Sequence, residues 1–115
     1  MSDQGERRHL TYILDSITLI EARVKAGRSE FSKNIDLQDA VLWRLETLTE
    51  ATGKLSTEVK NRHPEVPWRA IYGFRNVAAH AYMSLRLAEV WDIIETDLPG
   101  LKNAVIQELD KLPAV

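Results

Sequence analysis

Arg75, Asn76, His80 and Tyr82 fall within one short run, Arg75-Asn76-Val77-Ala78-Ala79-His80-Ala81-Tyr82. Arginine stays cationic and presents a planar fork of N–H donors that matches phosphate oxygens. Histidine, with an unperturbed pKa of about 6.5, can take and give a proton near neutrality. Together they are the minimum set for cleaving a phosphodiester without a metal. One group stabilises charge on the phosphoryl oxygens and the other moves the proton. The chain has no cysteine, and its three histidines, His9, His63 and His80, are too scattered for zinc ligation at helical i, i+4 spacing. No cofactor or metal is expected. A glycine-rich phosphate loop, a serine elbow and an H-E-x-x-H motif are all missing.

Each of the other candidates has a plain structural alternative. His9 sits beside Arg7 and Arg8 at the start of a helix, where no functional role is expected. His63 precedes a proline in a turn, which suits a surface or capping role. His80 lies between small alanines that leave its ring accessible, although a satisfied structural histidine is the competing reading. Tyr82, two residues on, either reaches the same cleft with its hydroxyl or packs with a wet tip. Trp43, Trp68 and Trp91 fall on or near apolar helix faces and are expected in the core, Trp68 alternatively bracing the entry to the Arg75 helix. Glu46 and Glu50 read as ordinary exposed helix positions.

Hydrophobic periodicity supplies the elements that must hold these groups. Leu10, Ile13, Leu14, Ile17, Ile20 and Val24 recur at spacings of three and four and mark one helix face, with Gly27 as a natural stop. A connector through Phe31-Ser32-Lys33-Asn34 leads to a longer helix from an N-cap near Asp36. It carries Leu37, Val41, Leu45, Leu48, Ala51, Leu55 and Val59 inward, and His63-Pro64 ends it. Gly53 interrupts that pattern, marking either a close approach or a weak point. Pro67 opens the third helix, with Ile71, Phe74 and Ala78 facing the core. A fourth is expected from about Leu85 to Leu98, and Pro99 opens a short last one with Leu101, Val105, Leu109 and Leu112 inward. No segment alternates with period two. The expected fold is an all-α, up-and-down bundle of four to five helices.

Arg75 and His80 are five residues apart, about 140° around an ideal helix. They converge only if the helix ends or loosens near His80, or if a second copy supplies the partner group.

With 115 residues, 1–115 reads as a single domain. Its 44% hydrophobic and 28% charged content is that of an ordinary soluble globule. No apolar run approaches the roughly 20 residues that span a bilayer, and the polar start Met1-Ser2-Asp3-Gln4-Gly5-Glu6 lacks a signal-peptide core. A cytoplasmic location without membrane contact is expected. The net charge of −2 argues against a general nucleic-acid coat. Charge is uneven, however: residues 54–75 carry five basic groups against Glu58 and Glu65, whereas residues 89–110 carry six acidic groups against Lys102. The basic half could hold a polyanion beside Arg75 and His80, or both halves are solvated faces.

The segment from Val66-Pro67-Trp68-Arg69 through Phe74-Arg75-Asn76 to His80-Ala81-Tyr82 closely resembles the signature of HepT-like proteins of the HEPN superfamily. That signature is an arginine, four to six residues and a histidine. The HepT branch adds a P-W-R start, an R-N or R-D pair and a final H-x-Y. The resemblance continues through Leu87, Val90-Trp91, Asp97-Leu98-Pro99 and Leu101, and reaches back to Tyr12–Ile17 and Asp39-Ala40-Val41. It implies a ribonuclease toxin of a toxin–antitoxin pair, acting on RNA as a homodimer whose two Arg/His motifs line a composite cleft. It also implies an MNT-type nucleotidyltransferase antitoxin that transfers AMP to the motif tyrosine. On this likeness Arg75 and His80 are catalytic, Asn76 supports them and Tyr82 is the AMPylation site. Arg86 departs from the acidic helix-capping residue common in relatives, and Ala79 and Ala81 are smaller than the usual residues there.

Two readings of other classes compete. One is a non-catalytic scaffold that keeps the motif and partners a nucleotidyltransferase. The other is a dimerisation module in which Arg75 is buried in an ion pair with Glu46 or Glu50.

Overall fold

The computed structural model describes the backbone of residues 3–84 and 86–113, and their side chains except at 3 and 81–84. Seven helices are present among the described residues, with no strand: α1 (Asp3–Arg23), α2 (Arg28–Lys33), α3 (Ile35–Thr52), α4 (Thr57–Arg62), α5 (Trp68–Ser84), α6 (Leu87–Thr96) and α7 (Leu98–Lys111). This corrects the expected bundle of four to five helices, although the all-α class stands. The two extra elements, α2 and α4, are six residues each and come from segments read as a connector and as the tail of a long helix.

Local chemistry explains both. Phe31 is buried, which draws the connector into the core as a turn and a half of helix. Asn34, not Asp36, then caps α3, its Oδ1 accepting from the Leu37 N–H at 3.0 Å. Gln38 secures the junction by donating to the Phe31 carbonyl at 2.9 Å. Farther along, α3 stops at Thr52, and Gly53 packs against the ring edge of Tyr72 from α5. A Cβ at Gly53 would clash with Tyr72 Cε1. The chain restarts at Ser56, whose Oγ accepts from the Val59 N–H at 3.2 Å. Leu55 and Val59 remain buried across the break, so the hydrophobic rhythm continues although the helix does not.

α3 lies between α1 and α5, α7 closes on α1, and α6 bridges α5 to α7. Their inner faces form one core from Leu10, Ile13, Ile17, Val41, Leu45, Leu48, Ile71, Val90, Leu98 and Leu101, among others. Gly27, at φ 97°, makes the left-handed turn between α1 and α2 that a side chain would resist. No helix among the described residues is long and apolar enough to cross a membrane.

His63, expected at the surface or as a cap, does terminate α4 but is buried. Its Nε2 donates to Glu108 of α7 at 2.6 Å, and Arg62 grips the same carboxylate at 2.6 and 3.0 Å. The His63 carbonyl in turn accepts from Trp68 Nε1 at 3.0 Å, so α4, the start of α5 and α7 are tied at one point. The Arg62 guanidinium, with His63 beside it, pulls the Glu108 carboxyl down from 4.5 to about 2 despite its burial.

Two outcomes are expected. Gly53→Ala should destabilise the fold by about 1–3 kcal/mol through overpacking against Tyr72. In a Tyr72→Ala background the same change should cost little, a coupling that a double-mutant cycle in urea measures directly. Second, the unfolded chain protonates Glu108 near pH 4.5 while the folded carboxylate resists until about pH 2. The stability it contributes is therefore complete above pH 4.5 and lost as pH falls through that window, about 3 kcal/mol at this shift. Glu108→Gln should lower the urea midpoint at pH 7 and flatten its fall between pH 5 and pH 2.5.

Candidate functional site

Arg75 projects from the middle of α5 and is held from three directions. Its Nε stands 3.2 Å from Glu50 Oε2 on α3, a terminal nitrogen donates to the Tyr72 carbonyl at 3.1 Å, and the guanidinium carbon lies 4.0 Å over the Tyr72 ring centroid. Tyr72 thus packs its edge on Gly53 and presents a face to Arg75. The side chain of Arg75 remains 31% exposed and that of Glu50 50% exposed, so the ion pair is open to solvent and to a competing anion.

That open side is a groove of about 550 Å³ between α1, α3 and α5. Arg75, Asn76 and Ala79 line one wall, Glu46, Thr47, Glu50 and Trp43 of α3 another, and His9 and Tyr12 of α1 a third, with Lys54 at one end. The Tyr12 hydroxyl donates to Thr47 Oγ1 at 2.7 Å and fixes α1 to α3 there. The Arg44 guanidinium carbon stands over the Tyr12 ring, 6.0 Å from its centroid. A cationic fork, an amide and an imidazole thus surround a space large enough for a nucleotide-sized ligand.

The sequence motif is brought together only in part. Arg75 and Asn76 share the groove, whereas His80 is exposed on the same helix and is not among the groove-lining residues. α5 continues unbroken through His80 to Ser84. The convergence route that required the helix to loosen near His80 is therefore overturned, since the regular helix keeps the two residues about 140° apart. The Tyr82 side chain lies outside the described residues, and so does residue 85, where the next helix was expected to begin. Arg86 does stand at the N-cap of α6, but without a capping hydrogen bond; it pairs with Glu89 at 2.7 Å instead.

Among the groove residues not anticipated are His9, Trp43 and Glu46. His9 is part of the wall although its neighbours suggested a frayed end, because α1 runs back to Asp3 and carries it beside α3. Trp43 was expected in the core and is 63% exposed. Its signal was its phase: it falls midway between the buried Val41 and Leu45, off the apolar stripe. Glu46 follows it by one turn into the same groove.

The chain matches the family model Ribonuclease HepT-like over residues 13–108. It is 33% identical over 107 residues to a protein of Methanocaldococcus jannaschii named Gamma-glutamylcyclotransferase and putative RNase, covering 90% of this chain but 48% of that protein. It therefore spans about half the length of that relative. A Putative RNase of the same organism is 30% identical, with 91% of this chain and 97% of the relative covered. A protein of Thermococcus cleftensis named Probable ribonuclease HepT is 31% identical, with 87% and 92% covered. No solved structure matches the chain.

A half-exposed ion pair contributes at most about 1 kcal/mol, and the cation–π contact a similar amount. Arg75→Ala should therefore leave the helix content intact and lower stability by no more than about 2 kcal/mol in urea titration. A loss of 3–5 kcal/mol, the scale of breaking a buried pair, would instead make Arg75 a structural residue.

Proposed function

The chain belongs to the Ribonuclease HepT-like family, and from that premise we propose that it is an endoribonuclease toxin of a toxin–antitoxin system, cutting RNA without a metal. The observation that carries this reading is Arg75, anchored by Glu50 and Tyr72 yet open to the groove, with His80 exposed on the same helix. In the reaction, the 2′-oxygen of one ribose attacks the adjacent phosphorus. Its proton passes to a base, the 5′-oxygen of the next nucleotide leaves and takes up a proton, and a 2′,3′-cyclic phosphate remains. His80 serves as the general base or acid, a role worth about 10²–10⁴ in rate. Arg75 exchanges its contact with Glu50 for the phosphoryl oxygens as they gain charge, and Asn76 supports it. DNA, lacking the 2′-hydroxyl, is inert.

The regular course of α5 supports a homodimer, because a second copy can bring an imidazole to the Arg75 groove that this copy's own His80 does not line. Residues 1–115 act as one such domain, in the cytoplasm. The partner antitoxin is an MNT-type nucleotidyltransferase that adds AMP to Tyr82. Each AMP brings a phosphate charge and a base two residues from His80, which blocks RNA by repulsion and bulk without unfolding the bundle. The scaffold alternative has the groove bind a nucleotide or the partner without cutting. The partly exposed Arg75–Glu50 pair does not favour the buried ion pair that the structural alternative called for.

Purified protein should cut RNA in EDTA and leave a 2′,3′-cyclic phosphate on the 5′ fragment, read by mass spectrometry of the products. Arg75→Ala and His80→Ala should each reduce the rate at least about a hundredfold with circular dichroism unchanged. Variants as active as the parent would place the activity elsewhere. After co-expression with a neighbouring nucleotidyltransferase gene, intact-mass analysis should find additions in steps of one AMP on the parent and none on Tyr82→Phe. An inhibited but unmodified parent would replace AMPylation with neutralisation by complex formation.

A further inference from the structure

Phosphate chemistry at Arg75 leaves other groups of the same groove unused, Trp43 and Glu46 among them. Trp43 exposes 63% of its surface although tryptophan has more apolar area to bury than any other side chain. The other large exposed apolar residues, Ile35 and Ile106, do not line the groove. Glu46 follows Trp43 by three residues and so stands on the same side of α3. Its carboxylate makes no ion pair or side-chain hydrogen bond among the described residues, while Glu50, one turn farther, is engaged by Arg75. Trp43, Glu46 and Ala79 also line an adjoining recess of about 270 Å³ with Asp39, Leu42 and Ala78. The small side chains of Ala78 and Ala79 face that recess from α5 and leave width for a flat ring.

We propose that Trp43 and Glu46 form a base-recognition subsite selective for guanine in single-stranded RNA. The base stacks on the indole while its Watson–Crick edge donates to the Glu46 carboxylate. The inference rests on the reading of Arg75 as the group that holds the adjacent phosphate. An ionised carboxylate offers two acceptors and no donor. Guanine is the one RNA base whose Watson–Crick edge carries two neighbouring donors, N1–H and the N2 amino group. Adenine and cytosine place a ring-nitrogen acceptor beside a single amino donor, and uracil sets its N3–H between two carbonyls, so each turns an acceptor towards the carboxylate. Stacking on an exposed aromatic and reading of a splayed base edge is the usual way proteins recognise single-stranded RNA.

Charge supports the same occupant. Glu46 and Glu50 offset Lys54 and Arg75, so the groove as a whole suits a neutral base beside a phosphate held at Arg75. The Glu46 carboxylate, costly to bury without a partner, needs donors from whatever covers this face. A base with matching donors pairs it.

The test is binding of guanosine, adenosine, cytidine and uridine 3′-monophosphates to the full-length protein by calorimetry. The parent should bind the guanosine compound at least about tenfold more tightly than the others. Glu46→Gln should bring the four within about threefold of one another, and Trp43→Ala should weaken the guanosine compound at least about fivefold. Both variants should keep helical content and oligomeric mass. Equal binding of the four by the parent, or no binding, would overturn the subsite even if RNA is cut. Selective guanosine binding by a parent that cuts no RNA would uphold the subsite and overturn the cleavage reading. Unchanged nucleotide affinity in Trp43→Ala with loss of oligomeric mass would overturn the proposal and assign this face to a second copy.

Discussion

The contact of the Tyr72 ring with Gly53 governs the arrangement of the site. Its edge occupies the space a Cβ would need, so a glycine at the end of α3 lets α5 approach closely. The ring's other service is to the Arg75 guanidinium, 4.0 Å over its face, with Glu50 holding the Nε from α3. One aromatic side chain thus sets the spacing of the two helices that frame the groove and the position of its cation. The arginine is pre-positioned rather than buried, so ordering it on binding an anion costs little. Its present partner, an exposed carboxylate, can be displaced by a phosphate that offers bidentate acceptors.

A second tie, Glu108 gripped by Arg62 and His63, stands away from the groove and fixes the far ends of α4 and α7. It explains why a histidine and a fully ionised carboxylate can be buried together: each polar atom has a charge-assisted partner. This cluster has the look of catalysis in composition, but Arg62 and His63 both spend donors on Glu108. Arg75, Asn76 and His9 line a larger space that a ligand can enter.

Much of this was legible in the sequence because burial follows phase. The inward faces of α1, α6 and α7 follow the apolar spacing at Leu10, Ile13, Ile17, Ile20, Val90, Trp91, Ile94, Leu101 and Val105, while Leu14, Val24, Leu87, Leu109 and Leu112 are only partly buried. The helix breaks were not legible, because Leu48, Ala51, Leu55 and Val59 keep the rhythm straight through the α3–α4 turn. Periodicity reports which residues are buried, not whether the backbone between them stays helical. The true signals were Gly53 and the Ser56 cap, and for α2 the buried Phe31 before Asn34. At the site, residue chemistry singled out Arg75 and His80 and the family resemblance added Asn76, all close in sequence; of these Arg75 and Asn76 line the groove and His80 does not. The opposite walls, His9, Trp43 and Glu46, come from helices distant in sequence and are joined only by packing. Trp43 was misplaced because residue type outweighed its off-stripe phase.

The proposed cleavage requires Arg75 and His80 to act on one phosphate although α5 keeps them apart, and so requires two chains to share each cleft. Subunit complementation tests it most directly. Differently tagged Arg75→Ala and His80→Ala chains are co-expressed, the mixed oligomer is isolated through both tags, and RNA cleavage is measured in EDTA. Each variant alone should be inactive, and the mixed oligomer should regain a substantial fraction of the parental rate, since it holds one cleft with an intact arginine and an intact histidine. A mixed oligomer as inactive as its components, or a fully active monomer of the parent, would contradict the shared cleft.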